Sequence, residues 1–269
     1  MVDIPIGPGL FELSPFSHPA GNVTLSPMTV QQPAGLFITG TDTEVGKTYI
    51  TAQIAAALKG AGNRVGVYKP AASGCSRQGN KLIADDALAI WEAAGQPGSL
   101  ADVCPQCFEA PLAPPLAAEL AGLEIDDALL RSGIRCWQEN SDVVLVEGSG
   151  GLLSPISNDS FVADLALDLG YPLLVVVPNQ LGAVNQALQT LVTASTFREG
   201  LQVVGMVLNQ LTENGHDSSI TSNSRLIQQH AIPPVLAELD FQGTLSSSID
   251  WMKLAQQPSD RSPRGAILQ

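Results

Sequence analysis

The sequence predicts an α/β fold in which a single doubly wound, mainly parallel sheet carries helices on both faces. Short apolar runs alternate with longer segments of helical character, and such runs are typical of parallel strands that are buried on both faces. Hydrophobic residues make up 45% of the 269 residues and charged residues 14%, which is enough apolar surface for a large core. Aromatic residues account for only 5%, so Ala, Val and Leu supply most of that core.

The apolar runs, taken in order, define alternating strands and helices. We predict strands at residues 36–39, 64–69, 142–147, 173–177, 203–208 and 235–239. We predict helices at residues 47–59, 85–94, 116–121, 126–139, 161–169, 183–199 and 219–230. Because ligands of such sheets bind at the carboxyl ends of the strands, the residues that follow each strand are the candidates for a functional site.

The segment 40–48 joins the first strand to the first helix and ends in Gly46-Lys47-Thr48. This ending is typical of a phosphate-binding loop: the helix N-terminus offers N–H groups, the lysine adds a cation, and the threonine hydroxyl can ligate Mg²⁺. The loop is one residue longer than the G-x-x-x-x-G-K-[ST] pattern. It also contains two acids, Asp42 and Glu44, which would repel phosphate unless they face a metal or a cationic substrate.

Two further strand ends carry residues that suit a phosphate site. The second strand ends in Lys69, where a buried ammonium would need an anionic partner; a solvent-exposed lysine is the alternative. The third strand ends in Glu147, and an acid in this place commonly helps to hold Mg²⁺ through a nucleotide. The glycine-rich stretch 148–151 would let the backbone approach a ligand closely. A plain glycine turn would explain the glycines but not the acid.

Other strand ends leave two interpretations open. Asp85 and Asp86 begin a helix, where acids serve as ordinary caps about as often as they would ligate a metal here. The segment Leu181–Asn185 begins the long helix after the fourth strand, and its N–H groups could bind a carboxylate, although most helix starts bind nothing. Asn209 ends the fifth strand, where it could contact a base or only satisfy a turn.

The two ends of the chain differ in composition from the middle. Residues 1–34 and 256–269 are rich in Pro, Gly and Ser, and we predict a flexible N-terminal extension and a flexible C-terminal tail around a phosphate-loop catalytic domain at 35–255. The start shows no signal-peptide pattern, and no apolar run reaches the ~18 residues of a membrane helix. We therefore expect a cytoplasmic protein without a membrane partner.

Charge and cysteine content narrow the function further. The formal net charge of −13 argues against binding of nucleic acid or of an anionic membrane. Cys104 and Cys107 have C-x-x-C spacing, but Cys75 and Cys136 are isolated and supply no second ligand pair. We expect reduced thiols and not a structural metal site.

With these motifs assembled, the chain resembles the dethiobiotin synthetase family over roughly residues 36 to 240. The matching pieces are Thr39–Thr48, Tyr68–Gly74, Asp86–Ile90, Val144–Gly151, Leu181–Asn185 and Asn209. The elongated loop with Glu44 is the most specific of them. The resemblance implies a P-loop NTPase fold and an ATP- and Mg²⁺-dependent cytoplasmic homodimer of the biotin pathway.

The resemblance also implies a reaction. The family converts 7,8-diaminononanoate and CO₂ to a carbamate, whose oxygen attacks the γ-phosphate of ATP. The resulting carbamic–phosphoric anhydride is closed by the second amine to the cyclic urea of dethiobiotin, with release of phosphate. A diamine substrate would explain why the loop carries Asp42 and Glu44.

Family roles can be carried over to individual residues. The residues implied to stabilise the carbamate and the transferring phosphoryl group, or to bond their oxygens, are Lys47, Lys69, Thr43 and Ser73. Those implied to bind ATP are Thr43, Glu44, Val45, Gly46, Lys47, Thr48 and, at the adenine, Asn209. Those implied to surround Mg²⁺ are Thr48, Asp86 and Glu147. Those implied to contact the substrate within one chain are Glu44, Ser73 and Gly148. Gly182 and Asn185 are implied to contact the tail carboxylate of the substrate across the homodimer interface.

One departure and two alternatives accompany this interpretation. Relatives have a tyrosine in the segment corresponding to residues 213–229 that contacts the substrate carboxylate from the partner subunit, and this segment has none. One alternative is a related ATP-dependent amide synthetase, which would need an added amidotransferase domain. The other is a partitioning-type ATPase switch, which would need a lysine where Asp42 stands.

Overall fold

The structure, a computed structural model, describes residues 32–213 and 217–257. Its strands are β1 (Ala34–Gly40), β2 (Val65–Tyr68), β3 (Ala71–Ala72), β4 (Ser76–Gln78), β5 (Lys81–Ile83), β6 (Gln106–Cys107), β7 (Val143–Gly151), β8 (Leu173–Pro178), β9 (Val203–Asn209) and β10 (Val235–Leu239). Its helices are α1 (Lys47–Gly60), α2 (Asp85–Ala93), α3 (Leu100–Val103), α4 (Pro114–Leu120), α5 (Asp127–Ser132), α6 (Arg135–Asn140), α7 (Val162–Leu169), α8 (Ala183–Thr196), α9 (Ile220–His230) and α10 (Trp251–Ala255).

A six-stranded parallel sheet forms the centre, in the order β10-β9-β8-β1-β7-β2. The predicted mainly parallel sheet is therefore confirmed. Two small sheets, β3 with β6 and β4 with β5, lie outside it. The strand before the phosphate-binding loop, β1, is central, so its carboxyl end lies between those of β7 and β8.

Helices cover both faces of the sheet, as the side chains of β8 demonstrate. Val175 and Val177 pack in a cluster with residues of α8 and α9. Leu174 and Val176 belong to a second cluster, which contains residues of α1 and α10. Successive strand residues point to opposite faces, so both faces of β8 are buried against helices, and this explains why the strand is apolar throughout.

Two predicted helices differ from the observed ones by more than two residues. The segment 126–139 was predicted as one helix, but it forms α5 and α6 with a break at Gly133. The break coincides with a tertiary contact: the Tyr68 hydroxyl oxygen lies 3.0 and 3.1 Å from the carbonyl oxygens of Leu129 and Leu130, and a Cβ at Gly133 would lie 2.5 Å from it, so only glycine fits there. Helix α8 stops at Thr196 and not at 199, because Arg198 has a positive φ of 48° that a helix does not accommodate.

The predicted chain ends fall mostly outside the described residues. The compact unit that holds the sheet begins at Gln32, whose side-chain amide donates to the carbonyl of Leu169 at 2.8 Å. Residues 1–31 and 258–269 are not described, so the extension and the tail stay predictions. Among the helices of the described residues, none has the length and apolar character needed to cross a membrane.

Candidate active site

The loop between β1 and α1 has the backbone of a phosphate cradle. Gly46 precedes α1 with φ 89°, and a Cβ there would lie 2.2 Å from Nδ2 of Asn209, so conformation and space both require glycine. No side chain caps the start of α1, and its first turn carries no acid. The N–H groups and the positive end of the helix dipole are therefore available to an anion.

Lys47 lies under this loop and is almost fully buried. Its Nζ donates to the carbonyl oxygen of Asp42 at 2.9 Å, which folds the loop around the ammonium. Burial, and then the positive charge of Lys69, lower the pKa of Lys47 to about 8. A bound phosphate would favour the charged form of this lysine.

Lys69 and Glu147 meet because of the strand register. Tyr68 in β2 lies opposite Val146 in β7, so the next residue of each strand projects from the same edge. Lys69 Nζ lies 2.6 Å from Glu147 Oε1 and 2.7 Å from Asp86 Oδ2, and Lys69 is only 3% exposed. Burial acts to lower the pKa of Lys69, but the two carboxylates outweigh it and leave the pKa raised. The predicted anionic partners of this lysine are therefore two acids of the site itself.

Asp86 turns towards the site and does not cap its helix. The N-cap of α2 is Ala84, and no side chain bonds to the N–H groups there. Asp86 instead pairs with Lys69, and although burial acts to raise its pKa, Lys69 and Thr48 lower it overall. Asp85 faces the opposite way, with Oδ1 3.5 Å from Ser76 Oγ. Of the two interpretations that the sequence left open, the geometry favours the site for Asp86.

Three oxygen-bearing side chains fit a magnesium ion. Thr48 Oγ1 donates to Glu147 Oε1 at 2.8 Å, and Thr48 also contributes to the lowered pKa of Asp86. Glu147 Oε2 is buried and has no hydrogen-bond partner among the described residues, which is the state expected of an oxygen that awaits a cation. The described residues contain no cluster of three or more His, Cys, Asp and Glu side chains suited to a metal. Magnesium is commonly held by one or two carboxylates together with nucleotide phosphates, so this site suits Mg²⁺.

A cavity of about 570 Å³ opens beside these groups. Its lining residues are Thr43, Glu44, Lys47, Lys69, Ala72, Ser73, Asp86, Pro111, Leu112, Ala113, Pro114, Ser149, Gly150, Ser154 and Pro155. The structure thus brings together six of the residues that the sequence singled out. Sequence reasoning missed the apolar wall 111–114. This segment reaches the cavity because β3 pairs with β6, and strands of only two residues leave no recognisable pattern in a sequence.

Gly148 and Asn209 do not line this cavity. Gly148 faces the core, where a Cβ would lie 3.0 Å from both Phe37 Cε1 and Val162 Cγ1, and its neighbours line the cavity instead. Asn209 is buried, and its side-chain amide donates to the carbonyl oxygen of Val45 at 3.2 Å. This bond ties the end of β9 to the phosphate-binding loop. The contact with adenine stays a prediction.

Comparison with known proteins identifies the chain. A family model described as an AAA domain matches residues 34–248. The ATP-dependent dethiobiotin synthetase BioD of Rhodopirellula baltica is 39% identical over 220 residues, which cover 78% of this chain and 85% of the relative. The chain belongs to the dethiobiotin synthetase family. The BioD of Anoxybacillus flavithermus is 34% identical over 81% of this chain and 97% of its own length.

Among solved structures, a ParA family ATPase from Chlorobium tepidum TLS aligns at 16% identity with a TM-score of 0.47, over 78% of this chain and 84% of that one. The family assignment does not depend on this alignment.

The start of α8 is the second segment to which the sequence analysis assigned a substrate contact. Asn185 lines a separate cavity of about 590 Å³, together with residues of the phosphate-binding loop, of the segment 151–155 and of α8. Neither Gly182 nor Asn185 lines the cavity that contains Lys69. The N–H of Leu181 donates to the carboxylate of Asp217, an acid in the segment where the relatives have their tyrosine. Sequence reasoning did not single out Asp217.

Cys75, Cys104 and Cys107 form a small cluster near β3 and β6, whereas Cys136 lies exposed on α6. Cys104 Sγ and Cys107 Sγ are 3.6 Å apart, and all four cysteines are free. The hydrogen bond to Cys104 raises the pKa of Cys107 to about 12, which keeps this thiol protonated and unreactive at neutral pH. The predicted reduced thiols are consistent with this geometry.

Proposed function

We propose that this chain is an ATP-dependent dethiobiotin synthetase, which carboxylates 7,8-diaminononanoate with CO₂ and closes the cyclic urea. The observation that carries the proposal is the buried ammonium of Lys69, held between Asp86 and Glu147 at the edge of a cavity that Lys47 and Ser73 also line. Family membership supports the same reaction.

The reaction requires two anionic groups to be held close together. One amine of the diamine adds to CO₂, loses a proton and becomes a carbamate. A carbamate oxygen then bonds to the γ-phosphorus of ATP, and ADP leaves. The second amine attacks the carbonyl carbon of the anhydride, loses a proton and expels phosphate. Atoms and charge balance without a redox partner.

Two lysines suit this chemistry, because phosphoryl transfer depends mainly on positioning and charge stabilisation. Lys47 would contact the β- and γ-phosphates from below the loop, and Lys69 would lie between carbamate and γ-phosphate. Thr43 and Ser73 line the same cavity and would donate hydroxyl hydrogens to phosphate and carbamate oxygens. The loop N–H groups from Glu44 through Thr48 would bind the remaining phosphate oxygens, and Asn209 would lie near the adenine.

We also propose Mg²⁺ as the cofactor, held by Thr48, Asp86 and Glu147. When bound with the nucleotide, the ion would neutralise phosphate charge during transfer. The orphan oxygen of Glu147 supports this assignment.

The substrate has two polar amines and a hydrocarbon chain, and the cavity has matching surfaces. Glu44 supplies a carboxylate for an ammonium or amine. Pro111, Leu112 and Pro114 form an apolar wall against which methylene groups could pack. The tail carboxylate would then extend beyond this cavity.

We propose that the tail is bound by a second copy of the chain, at Gly182 and Asn185. Neither residue lines the Lys69 cavity of its own chain, and this supports a homodimer in which each site takes these residues from its partner. A cytoplasmic location is part of the same proposal.

The decisive experiment is incubation of the purified chain with ATP, Mg²⁺, bicarbonate and 7,8-diaminononanoate. We expect phosphate release that depends on the diamine and a cyclic urea detected by mass spectrometry. An Arg64→Gln variant, altered in an exposed ion pair far from the site, should behave as wild type. The absence of both products from folded wild-type protein would refute the proposed function.

A further inference from the structure

The segment 152–161 between β7 and α7 forms a wall between the two cavities. Ser154 and Pro155 line both the cavity with Lys69 and the cavity with Asn185. We propose that Arg131, on helix α5, is a positioning residue that holds this wall in place and so sets the width of the diamine side of the active site. The kinetic part of this inference rests on the proposed function.

The wall is a compact loop with its own backbone bonds. The N–H of Ile156 donates to the carbonyl of Ser160 at 2.9 Å, and the N–H of Val162 donates to the carbonyl of Ser154 at 3.0 Å. Ser154 Oγ in turn accepts the N–H of Gly151 at 3.0 Å. These bonds fix the shape of the loop. Further backbone bonds, from the N–H of Ser154 to the carbonyl of Gly151 at 3.1 Å and from the N–H of Ala163 to the carbonyl of Leu152 at 2.8 Å, connect its first residues to β7 and α7.

Side chains of α5 and α7 anchor the loop from outside. Arg131 Nη2 donates to Ser160 Oγ at 3.1 Å, and its Nε donates to Asp168 Oδ2 on α7 at 2.7 Å. Arg131 Nη1 pairs with Asp127 Oδ2 at 2.6 Å, while Ser157 Oγ donates to Oδ1 of the same carboxylate at 2.6 Å. One planar guanidinium thus joins α5, α7 and the loop, a task that suits the fixed fork of arginine.

The exposure of these side chains indicates that the network orders the loop and adds little to the stability of the fold. Arg131 and its two acids are partly exposed, and ion pairs of this kind contribute little to global stability. The hydroxyl groups of Ser157 and Ser160, in contrast, are almost buried. Loss of Arg131 would therefore change the order of the loop much more than the stability of the fold.

Loss of Arg131 should consequently affect one substrate selectively. The wall and Lys47 line the same cavity, but among the described residues no hydrogen bond joins the wall to the nucleotide segment Gly46–Thr48. For Arg131→Gln we expect the KM for the diamine to rise by roughly three- to tenfold, the effect of one or two hydrogen bonds. The KM for ATP and kcat should stay within about twofold.

The experiment combines hydrogen exchange with kinetics. Exchange of the backbone amides in 152–161 would be followed by mass spectrometry in wild type, Arg131→Gln, Ser160→Ala and the matched control Arg64→Gln. Arg64 forms an ion pair with Asp142 at the amino ends of the strands, away from both cavities. We expect the amides of 152–161 to exchange faster in Arg131→Gln and Ser160→Ala than in wild type, and at the wild-type rate in Arg64→Gln. In Arg131→Lys, which keeps the positive charge, the exchange rate should lie between those of wild type and Arg131→Gln.

Each result decides the inference. Unchanged exchange of 152–161 in Arg131→Gln, or an equal rise in the KM values of both substrates, would overturn it. The exchange measurement needs no turnover, so it tests Arg131 even if wild-type protein makes no cyclic urea. Failure of the proposed function would appear in the wild-type assay alone.

Discussion

Lys69 Nζ lies 2.6 Å from Glu147 Oε1, and both side chains are buried, Lys69 to 3% exposure and Glu147 completely. Taking two charges out of water is costly unless they are paired and hydrogen-bonded, so this pair constrains the site strongly. Asp86, the second partner of Lys69, is about half exposed and faces the cavity. The ammonium is therefore fixed on its buried side and adjacent to solvent on the other.

Substitution of Lys69 should remove turnover and spare ATP binding. We expect Lys69→Ala to lower kcat by roughly 100- to 1000-fold, as for loss of a group that stabilises transition-state charge. The Kd for ATP should change little, because the nucleotide is proposed to bind to the loop and Lys47. Phosphate release and calorimetry would measure the two quantities, and thermal unfolding would verify that the variant is folded. Full turnover in this variant would remove Lys69 from the mechanism.

The low pKa of Lys47 predicts that ATP binding depends on pH. With a pKa of about 8, Lys47 carries its charge below pH 8 and loses it as the pH rises further. Bound phosphate favours the charged form, so the Kd for ATP should rise by up to about tenfold from pH 7 to pH 9. Calorimetric titration at pH 7, 8 and 9 would measure this dependence. Lys47→Ala is the control, and a dependence that persists in it would assign the effect to another group.

The unpaired Oε2 of Glu147 predicts that substitution of this residue makes ATP binding less dependent on Mg²⁺. In Glu147→Gln the shape is kept but the charge is lost, so Mg²⁺ should enhance ATP binding less than in wild type. Calorimetry with and without Mg²⁺ would compare the two proteins. Asp85→Asn is the matched control, since that neighbouring acid faces Ser76 and not the site. Equal metal enhancement in Glu147→Gln and wild type would contradict the assignment.

A site shared between the two subunits of the proposed homodimer predicts complementation. Lys69→Ala and Asn185→Ala should each impair turnover alone. If Lys69 and Asn185 of one site come from different subunits, a mixed dimer contains one intact site, and mixing equal amounts after subunit exchange should restore roughly a quarter of wild-type activity. Mixtures that are no more active than the average of the separate variants would show that both residues act within one chain.

The position of Asp217 predicts an effect of charge on the substrate tail. Its carboxylate accepts the N–H of Leu181 at the start of α8, where the tail carboxylate is proposed to bind. Asp217→Asn keeps an acceptor oxygen and removes the repulsion, so the KM for the diamine should fall by roughly threefold at low salt, a size suited to an exposed charge. The effect should diminish at high salt. An unchanged or higher KM would place the tail elsewhere.

Sequence reasoning succeeded where burial leaves a continuous pattern. The runs 36–38, 143–146 and 173–177 within β1, β7 and β8 are fully buried, so every residue in them had to be apolar. It failed where a distant contact decides a boundary. The helix predicted at 126–139 is broken at Gly133, where Tyr68 of strand β2 approaches the backbone, and the residues of the segment do not identify this contact.

The sequence by itself determined the parallel sheet, the phosphate-binding loop and the residues at the strand ends, because hydrophobic period and glycine position are local properties. Only the tertiary structure decided which of these residues meet. The register of β2 against β7 pairs Lys69 with Glu147, and the orientation of α2 turns Asp86 towards them while Asp85 faces away. Such pairings depend on how strands align and helices pack across the sheet, and no single segment encodes that alignment.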